Sequence, residues 1–165
     1  MTLVRLSRRA LFGVGASTLL AGLALRGAAA QQSALPTTPR CHDDEEATQA
    51  QTEGPYFKPS SPERANLVEQ GMKGERISLV GFVLDRRCRP LPHVLLDLWH
   101  ADAAGYYDNQ GFRLRGHQFT DAQGRYAFET IVPGLYPGRT RHFHLKVQAP
   151  DQDILTTQLY FPGEQ

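Results

Sequence analysis

The stretch RHFHLKVQ at residues 141–148 alternates between polar and apolar side chains, and the fold can be inferred outward from it. Side chains of a β-strand alternate between two faces, so the Phe, Leu and Val of this stretch share one face and His142 and His144 share the other. The apolar face is typical of a strand that packs on a core. Two neutral imidazoles at this spacing can bind one metal ion in neighbouring positions, although the H-x-H pattern alone indicates a metal site only weakly.

Four other segments have the alternation or the apolar composition of strands, bounded by Gly, Pro and Asp turns. They are residues 76–84, 94–99, 126–131 and 154–161. The run VLLDLW at 94–99 is almost continuously apolar, which favours a strand that is covered on both faces. Because no segment after residue 30 has a strong helical period, the chain is predicted to be all-β, an antiparallel sandwich or barrel.

Residues 1–30 have the composition of a cleavable export signal, with arginines first, then an apolar stretch and finally three alanines. The apolar stretch, about residues 10–25, is short for a membrane span, and SRRALF at 7–12 resembles a twin-arginine motif. We therefore expect export by the twin-arginine machinery, a periplasmic or secreted location, and no membrane anchor after cleavage. An uncleaved N-terminal anchor is the alternative.

Residues 31–51 are rich in Gln, Ser, Thr and Pro and contain the acidic run HDDEE at 42–46. They are predicted to form a flexible linker before a single domain at residues 52–165. Without residues 1–30, the sum of Lys and Arg falls from 18 to 14, against 17 Asp and Glu. The mature chain is then mildly acidic and has no basic patch, so nucleic acid is not an expected partner.

The chain has two cysteines, Cys41 and Cys88, and neither lies in a metal-binding spacing. An oxidising periplasm would allow them to form a disulfide. The alternative is two unrelated thiols, and the sequence leaves both open.

Tyrosines are the nearest candidates for further metal ligands. Tyr136 lies between two Pro-Gly turns shortly before the histidines, and Tyr106 and Tyr107 follow the strand at 94–99. A cupin-type site would need a glutamate soon after His144, and a structural zinc site would need more cysteines or histidines. A trivalent cation favours the phenolate form of tyrosine, so phenolates and imidazoles together suit a hard, high-valent iron.

Five motifs occur in order over residues 52–161. They are TEGPYF at 52–57, DLWHADAAGYYD at 97–108, GRYAFETIVPGLYP at 124–137, RTRHFHLKV at 139–147 and TTQLYF at 156–161. As an ordered set they resemble the intradiol ring-cleavage dioxygenases, the family that includes the catechol and protocatechuate enzymes. The resemblance implies an antiparallel β-sandwich of the prealbumin or immunoglobulin-like kind with long active-site loops.

In that family two tyrosines and two histidines hold a non-haem Fe(III). The first tyrosine lies eight residues after the tryptophan, which in this sequence is Tyr107 and not Tyr106. The second is the tyrosine of the P-G-x-Y-P motif. The resemblance therefore implies that the iron ligands are Tyr107, Tyr136, His142 and His144.

The resemblance also implies the reaction: a catechol-type diol and O2 react to give a muconate-type diacid. Tyr136 would take a substrate proton, and Arg139 would stabilise negative charge on the ring carbon that meets oxygen. Gln158 matches a glutamine near the same pocket. An exposed loop arginine and a strand residue without a role in the site are the alternatives for Arg139 and Gln158.

Other residues of the motifs are given no catalytic role. Trp99 is expected to pack in the core, and Tyr56 is expected either to line the pocket mouth or to pack. His93, His100 and His117 are expected not to be ligands.

Two features depart from the family pattern. The chain stops at Gln165, where family members usually run on, so it is either a short member or a fragment. The helical N-terminal dimerisation region of the larger catechol enzymes is absent. The oligomeric state, with a homodimer as one possibility, and the identity of the diol are therefore left open. Two alternative functions remain: an exported, non-catalytic transthyretin-like binding module, and an iron-binding protein without efficient ring cleavage.

Overall fold

The computed structural model describes the backbone of residues 2–7 and describes residues 47–135 and 137–164 in full. These residues form seven strands, and every strand pairing is antiparallel. In chain order the strands are β1 (Thr2–Ser7), β2 (Arg76–Val83), β3 (Leu95–Trp99), β4 (Arg115–Phe119), β5 (Arg125–Ile131), β6 (His142–Gln148) and β7 (Leu155–Tyr160).

The strands form two sheets that enclose one core. One sheet has the order β1-β2-β5 and the other has the order β4-β3-β6-β7. The core contains alternate residues of both sheets, among them Leu79, Phe128, Leu96 and Leu145, each with 0% exposure. The predicted antiparallel sandwich is confirmed. Within the part of the chain that the structure describes, no helix is long and apolar enough to cross a membrane.

The β6 strand comprises residues 142–148 of the alternating stretch and has the orientation predicted from it. Its Phe143 and Leu145 are buried in the core, while His142 and His144 lie on the opposite, outer face of the sheet. Antiparallel pairing places His144 directly opposite Trp99 of β3 and Gln158 of β7. The outer face of this sheet therefore carries the residues with chemical function.

A segment formed by residues 47–62, called the covering segment, crosses that outer face from β7 to β4. At its start, the Gln51 amide donates to the Thr156 carbonyl at 2.8 Å. In the middle, the Phe57 ring meets the Trp99 ring with centroids 5.0 Å apart. At its end, the Ser61 hydroxyl donates to Asp97 at 2.8 Å. This explains the almost continuous apolar character of β3, which is covered on both faces.

Two strands were not expected from the sequence. The β4 strand, RGHQF, has no hydrophobic alternation, and its main chain is instead paired on both sides, with β3 and with Glu63 through an isolated bridge. The β1 strand pairs with β2 along residues 2–7, within the segment predicted as an export signal. The rest of that segment lies outside the described residues, so the signal stays a prediction.

The described end of the predicted linker is attached to the domain, because the Gln49 carbonyl accepts a hydrogen bond from the Thr157 hydroxyl at 2.9 Å. Cys88 is disulfide-bonded. Cys41, the other cysteine of the chain, lies outside the described residues.

Candidate metal centre

Three donor atoms from two distant parts of the chain converge at one end of the outer face. His144 Nε2 lies 3.1 Å from Tyr107 Oη and 3.1 Å from His142 Nε2, and Tyr107 Oη lies 3.4 Å from His142 Nε2. Two of the donors come from β6 and the third from the loop between β3 and β4. The structure thus brings together three of the four residues predicted as ligands.

The orientation of the His142 ring is set by its own backbone neighbour. His142 Nδ1 donates to the Thr140 carbonyl at 2.7 Å, because a carbonyl can only accept. Burial lowers the pKa of His142, so the ring is neutral near neutral pH and Nε2 presents a lone pair to the other two donors. A hydrogen bond of this kind is what holds a histidine in the tautomer needed for metal binding.

The His144 ring is positioned by stacking. It lies parallel to the Trp99 indole, with centroids 4.8 Å apart and an interplanar angle of 7°. Its Nδ1 is buried and has no hydrogen-bond partner among the described residues, while Nε2 faces Tyr107 and His142. Burial, followed by repulsion from His142 when that ring is protonated and from Arg139, lowers the pKa of His144 to about 3. The protonated form of the His144 ring is therefore disfavoured, and the neutral ring can offer a lone pair to a metal ion.

Two aspartate turns hold the loop that carries Tyr107. The Asp102 carboxylate accepts hydrogen bonds from the amides of Ala104 and Tyr106 at 2.9 and 3.0 Å. The Asp108 carboxylate accepts from the amides of Gly111, Arg113 and Gln110 at 2.8 to 3.0 Å, which lowers its pKa. Side chains that replace the missing backbone partners in this way fix irregular loops. Tyr107 lies between the two turns.

The same loop packs on the loop after β5. The Gly134 amide donates to the Asp102 carbonyl at 2.7 Å. A Cβ atom at Gly134 would overlap the backbone of Ala103 and Gly105, so only glycine allows the two loops to approach this closely. Tyr136, two residues further on, lies outside the described residues. Its place among the ligands stays a prediction.

Arg139 and Gln158 are bonded to each other at the edge of the site. Arg139 Nη2 donates to Gln158 Oε1 at 2.8 Å, and Tyr160 Oη lies 2.9 Å from the same oxygen. Gln158 Nε2 donates to the Thr52 carbonyl at 2.8 Å. Each polar atom of the Gln158 amide therefore has a partner in the protein. The amide ties Arg139, an exposed residue, to the covering segment.

Three contributions to the site were missed or left undecided at the level of sequence. Trp99 is buried, as expected, but its ring also orients His144. Tyr56 stacks on Tyr107, with centroids 4.4 Å apart and planes at 13°. Arg115 is 2% exposed and bonds the backbone around the site. The LRG context of Arg115 has no alternation to mark it, so its role depends on the register of β4 against β3.

The donor set fits a hard metal ion. Separations of 3.1 to 3.4 Å between donors match ligands that share one ion at bonds of about 2 Å. Among the described residues, no group of three or more His, Cys, Asp or Glu side chains is arranged to hold a metal. The third donor beside His142 and His144 is the tyrosine oxygen of Tyr107. One phenolate and two neutral imidazoles suit iron in a high oxidation state.

The other three histidines among the described residues lie away from the converging donors. Both ring nitrogens of the fully buried His100 have partners, the Ala101 carbonyl at 2.8 Å and the Thr130 hydroxyl at 2.7 Å. His117 Nδ1 lies 3.1 Å from the Ser61 hydroxyl, and His93 is exposed in a turn. None of these three rings points at the converging donors.

The neutral, buried His100 predicts a loss of stability in acid. Burial lowers its pKa to about 4, whereas an unfolded histidine has its ordinary value of about 6.5, so only the unfolded chain gains this proton as the pH falls between those values. We expect the free energy of unfolding to fall by on the order of 3 kcal/mol over this window from this residue alone. Urea unfolding of the wild type and His100→Gln should show a weaker pH dependence in the variant, and equal dependence would contradict the prediction.

The chain is similar in sequence to known dioxygenases. The family model Dioxygenase_C, described as a dioxygenase, matches residues 52–165. The beta chain of protocatechuate 3,4-dioxygenase from Burkholderia cepacia is 37% identical over 118 residues, covering 60% of this chain and 50% of that protein. Hydroxyquinol 1,2-dioxygenase from Nocardioides simplex is 30% identical over 144 residues, covering 73% and 49%. The chain spans about half the length of these curated relatives.

Solved structures show the same similarity. The dioxygenase domain of a dioxygenase and carbohydrate-binding protein fusion from Streptomyces sp. SirexAA-E is 58% identical with a TM-score of 0.71, covering 72% of this chain and 77% of that chain. The 3-chlorocatechol 1,2-dioxygenase from Rhodococcus opacus 1CP is 33% identical with a TM-score of 0.67, covering 72% and 58%. The family match covers more than half of the sequence and starts where the ordered motifs start. The chain belongs to the intradiol ring-cleavage dioxygenase family.

Proposed function

We propose that this protein is a non-haem Fe(III)-dependent dioxygenase that cleaves a catechol-type aromatic diol between its two hydroxyl-bearing carbons. The observation that carries the proposal is the convergence of Tyr107 Oη with the Nε2 atoms of His142 and His144 in a member of this family. The similar proteins named above act on protocatechuate, hydroxyquinol or 3-chlorocatechol by their names, which supports an aromatic 1,2-diol without selecting one.

The residues that would hold the iron are Tyr107, His142 and His144, together with Tyr136 from the family motif. When bound, ferric iron supplies Lewis acidity that favours the deprotonated form of both diol oxygens. Neutral imidazoles are needed for this role, and burial of His142 and His144 provides them.

The protein's own groups then handle charge and protons. Tyr136 is the acceptor for one substrate proton, by its match to the family motif. The Arg139 guanidinium, held by Gln158, stabilises the negative charge that develops on the ring carbon as oxygen adds. The Trp99 ring packs against the His144 ring, and Phe57 of the covering segment packs against Trp99. These two contacts shield one side of the His144 ring from bulk water.

The overall reaction balances without a further reductant. The bond between the two hydroxyl-bearing carbons breaks, and each of these carbons receives one atom of the same O2 molecule. The two hydroxyl protons of the diol become the two acid protons of a muconate-type product. The substrate is the electron donor, and O2 is the electron acceptor.

A visible absorption spectrum of the purified domain, with iron quantified, tests the proposal. We expect a phenolate-to-iron band that shifts when catechol is added without oxygen, and consumption of one O2 per diol when air is admitted. A protein that stays colourless and iron-free after ferric reconstitution would refute the proposal and favour a non-catalytic binding module of the same fold. An iron-loaded, coloured protein that consumes no O2 with catechols would favour an iron-binding protein without ring cleavage.

We also propose that the chain is exported through the twin-arginine machinery. The basic, apolar and alanine-rich parts of residues 1–30 support this, as does the disulfide at Cys88, because disulfides persist in oxidising compartments. Replacing Arg8 and Arg9 by lysine in the full chain should leave the protein in the cytoplasm. Equal export of this variant and the wild type, measured by fractionation, would contradict the proposal.

A further inference from the structure

A buried arginine joins two separate parts of the candidate site. Arg115 is the first residue of β4, is 2% exposed, and lies opposite Trp99 in the register of the sheet. Trp99 in turn lies opposite His144. The guanidinium is therefore in the row of outer-face residues that includes a proposed ligand, beneath the covering segment.

Its hydrogen bonds go to backbone carbonyls of two different segments. Arg115 Nη1 donates to the Tyr56 carbonyl at 2.7 Å, and Nε donates to the Asp108 carbonyl at 3.1 Å. Tyr56 belongs to the covering segment and Asp108 directly follows Tyr107. One rigid group thus sets the distance between these two stretches of backbone.

The side chains on those stretches are in contact. The rings of Tyr56 and Tyr107 stack with centroids 4.4 Å apart, and the Tyr107 hydroxyl points at His144 Nε2 from 3.1 Å. If the backbone on either side moved, the stack would open and the hydroxyl would turn away from the histidines.

We propose that Arg115 is a positioning residue for Tyr107, acting by holding the Tyr56 and Asp108 carbonyls at a fixed separation. The inference rests on the proposed function in one respect, that Tyr107 binds the metal. It adds to that function a residue that touches neither the metal ligands' donor atoms nor the substrate.

Arginine has the chemistry that this role requires. Its guanidinium is planar and presents several N–H donors in a fixed fork, so two carbonyls can be held at once in a defined geometry. Lysine has one flexible ammonium and would hold them less rigidly. A neutral or shorter side chain would leave buried carbonyls without donors and would remove the link.

The experiment compares Arg115→Gln and Arg115→Lys with a matched control, Val94→Ala, which removes buried core volume at the other end of β3. Three quantities are measured: the melting temperature, the near-ultraviolet circular dichroism of the iron-free protein, and the ferric affinity. The contribution of Tyr107 to the dichroism is identified by subtracting the spectrum of Tyr107→Phe.

We expect Arg115→Gln to lose the Tyr107 dichroism and to bind iron about 10- to 100-fold more weakly, the range found for residues that orient metal ligands. Arg115→Lys should be intermediate in both. Val94→Ala should have a lower melting temperature while keeping the Tyr107 dichroism and the wild-type affinity.

Wild-type dichroism and affinity in Arg115→Gln would overturn the inference, as would an equal loss of both in Val94→Ala. If Arg115→Gln does not fold, Arg115→Lys decides, since wild-type values there also overturn it. A wild type that binds no iron would refute the proposed function, and the dichroism of the iron-free proteins would still test the positioning by Arg115.

Discussion

Tyr107→Phe is expected to lose iron, the visible absorption and ring cleavage together. The substitution removes only the oxygen that lies 3.1 Å from His144 Nε2 and 3.4 Å from His142 Nε2, and it keeps the ring that stacks on Tyr56. Loss of a proposed ligand should weaken ferric binding by more than the roughly 10- to 100-fold that substitution of supporting residues costs. Ferric titration followed by absorption and oxygen uptake measures all three effects.

The adjacent tyrosine is a matched control for this prediction. Tyr106 is 72% exposed and is turned to solvent, although it has the same chemistry and a neighbouring position. Tyr106→Phe should therefore keep the iron content and the turnover of the wild type. Iron loss in Tyr106→Phe together with iron retention in Tyr107→Phe would show that Tyr106, and not Tyr107, is the ligand. Iron retention in both variants would exclude Tyr107 as a ligand.

Arg139→Met is expected to keep the iron and lower turnover by about 10²- to 10³-fold, the usual cost of losing one preorganised donor for developing charge. Methionine has a similar length but no charge, so the change isolates the guanidinium. The Gln158 amide that now accepts from Arg139 keeps its bonds to Thr52 and Tyr160. Steady-state oxygen uptake, together with the spectrum of the anaerobic catechol complex, separates turnover from binding.

An arginine far from the site controls for loss of positive charge. Arg89 is exposed in a turn at the opposite end of the sandwich, where it pairs with Asp85 at 2.6 Å. Such surface pairs contribute little to stability, so Arg89→Met should have unchanged turnover and iron content. Turnover within a few-fold of wild type in Arg139→Met would show that its guanidinium does not act on the reacting ring.

Much of the fold could be predicted because the strands that face the core have local signatures. The alternation in residues 141–148 located β6 to within one residue and indicated the face on which His142 and His144 lie. The apolar run at 94–99 likewise marked β3 as covered on both faces. Each of these features depends on neighbours within a few residues, so it can be recognised in the sequence without knowledge of tertiary contacts.

The β4 strand shows where local reading fails. Its residues, RGHQF, alternate between types that do not separate into an apolar and a polar face. The strand forms because its main chain is hydrogen-bonded to β3 on one side and to the residues around Glu63 on the other. Those partners are distant in sequence, and the five residues contain no pattern that predicts them.

The residue pattern was enough to predict an all-β chain and the shared outer face of the two histidines, and the ordered motifs were enough to single out Tyr107. The contact of Tyr107 with the histidines, the stacking of Trp99 on His144, and the link from Arg115 to the covering segment and the Tyr107 loop are seen only in the folded chain. The physical reason is the range of the interactions. Alternation and turns are local, whereas the site is assembled by strand register and by a segment that crosses four strands.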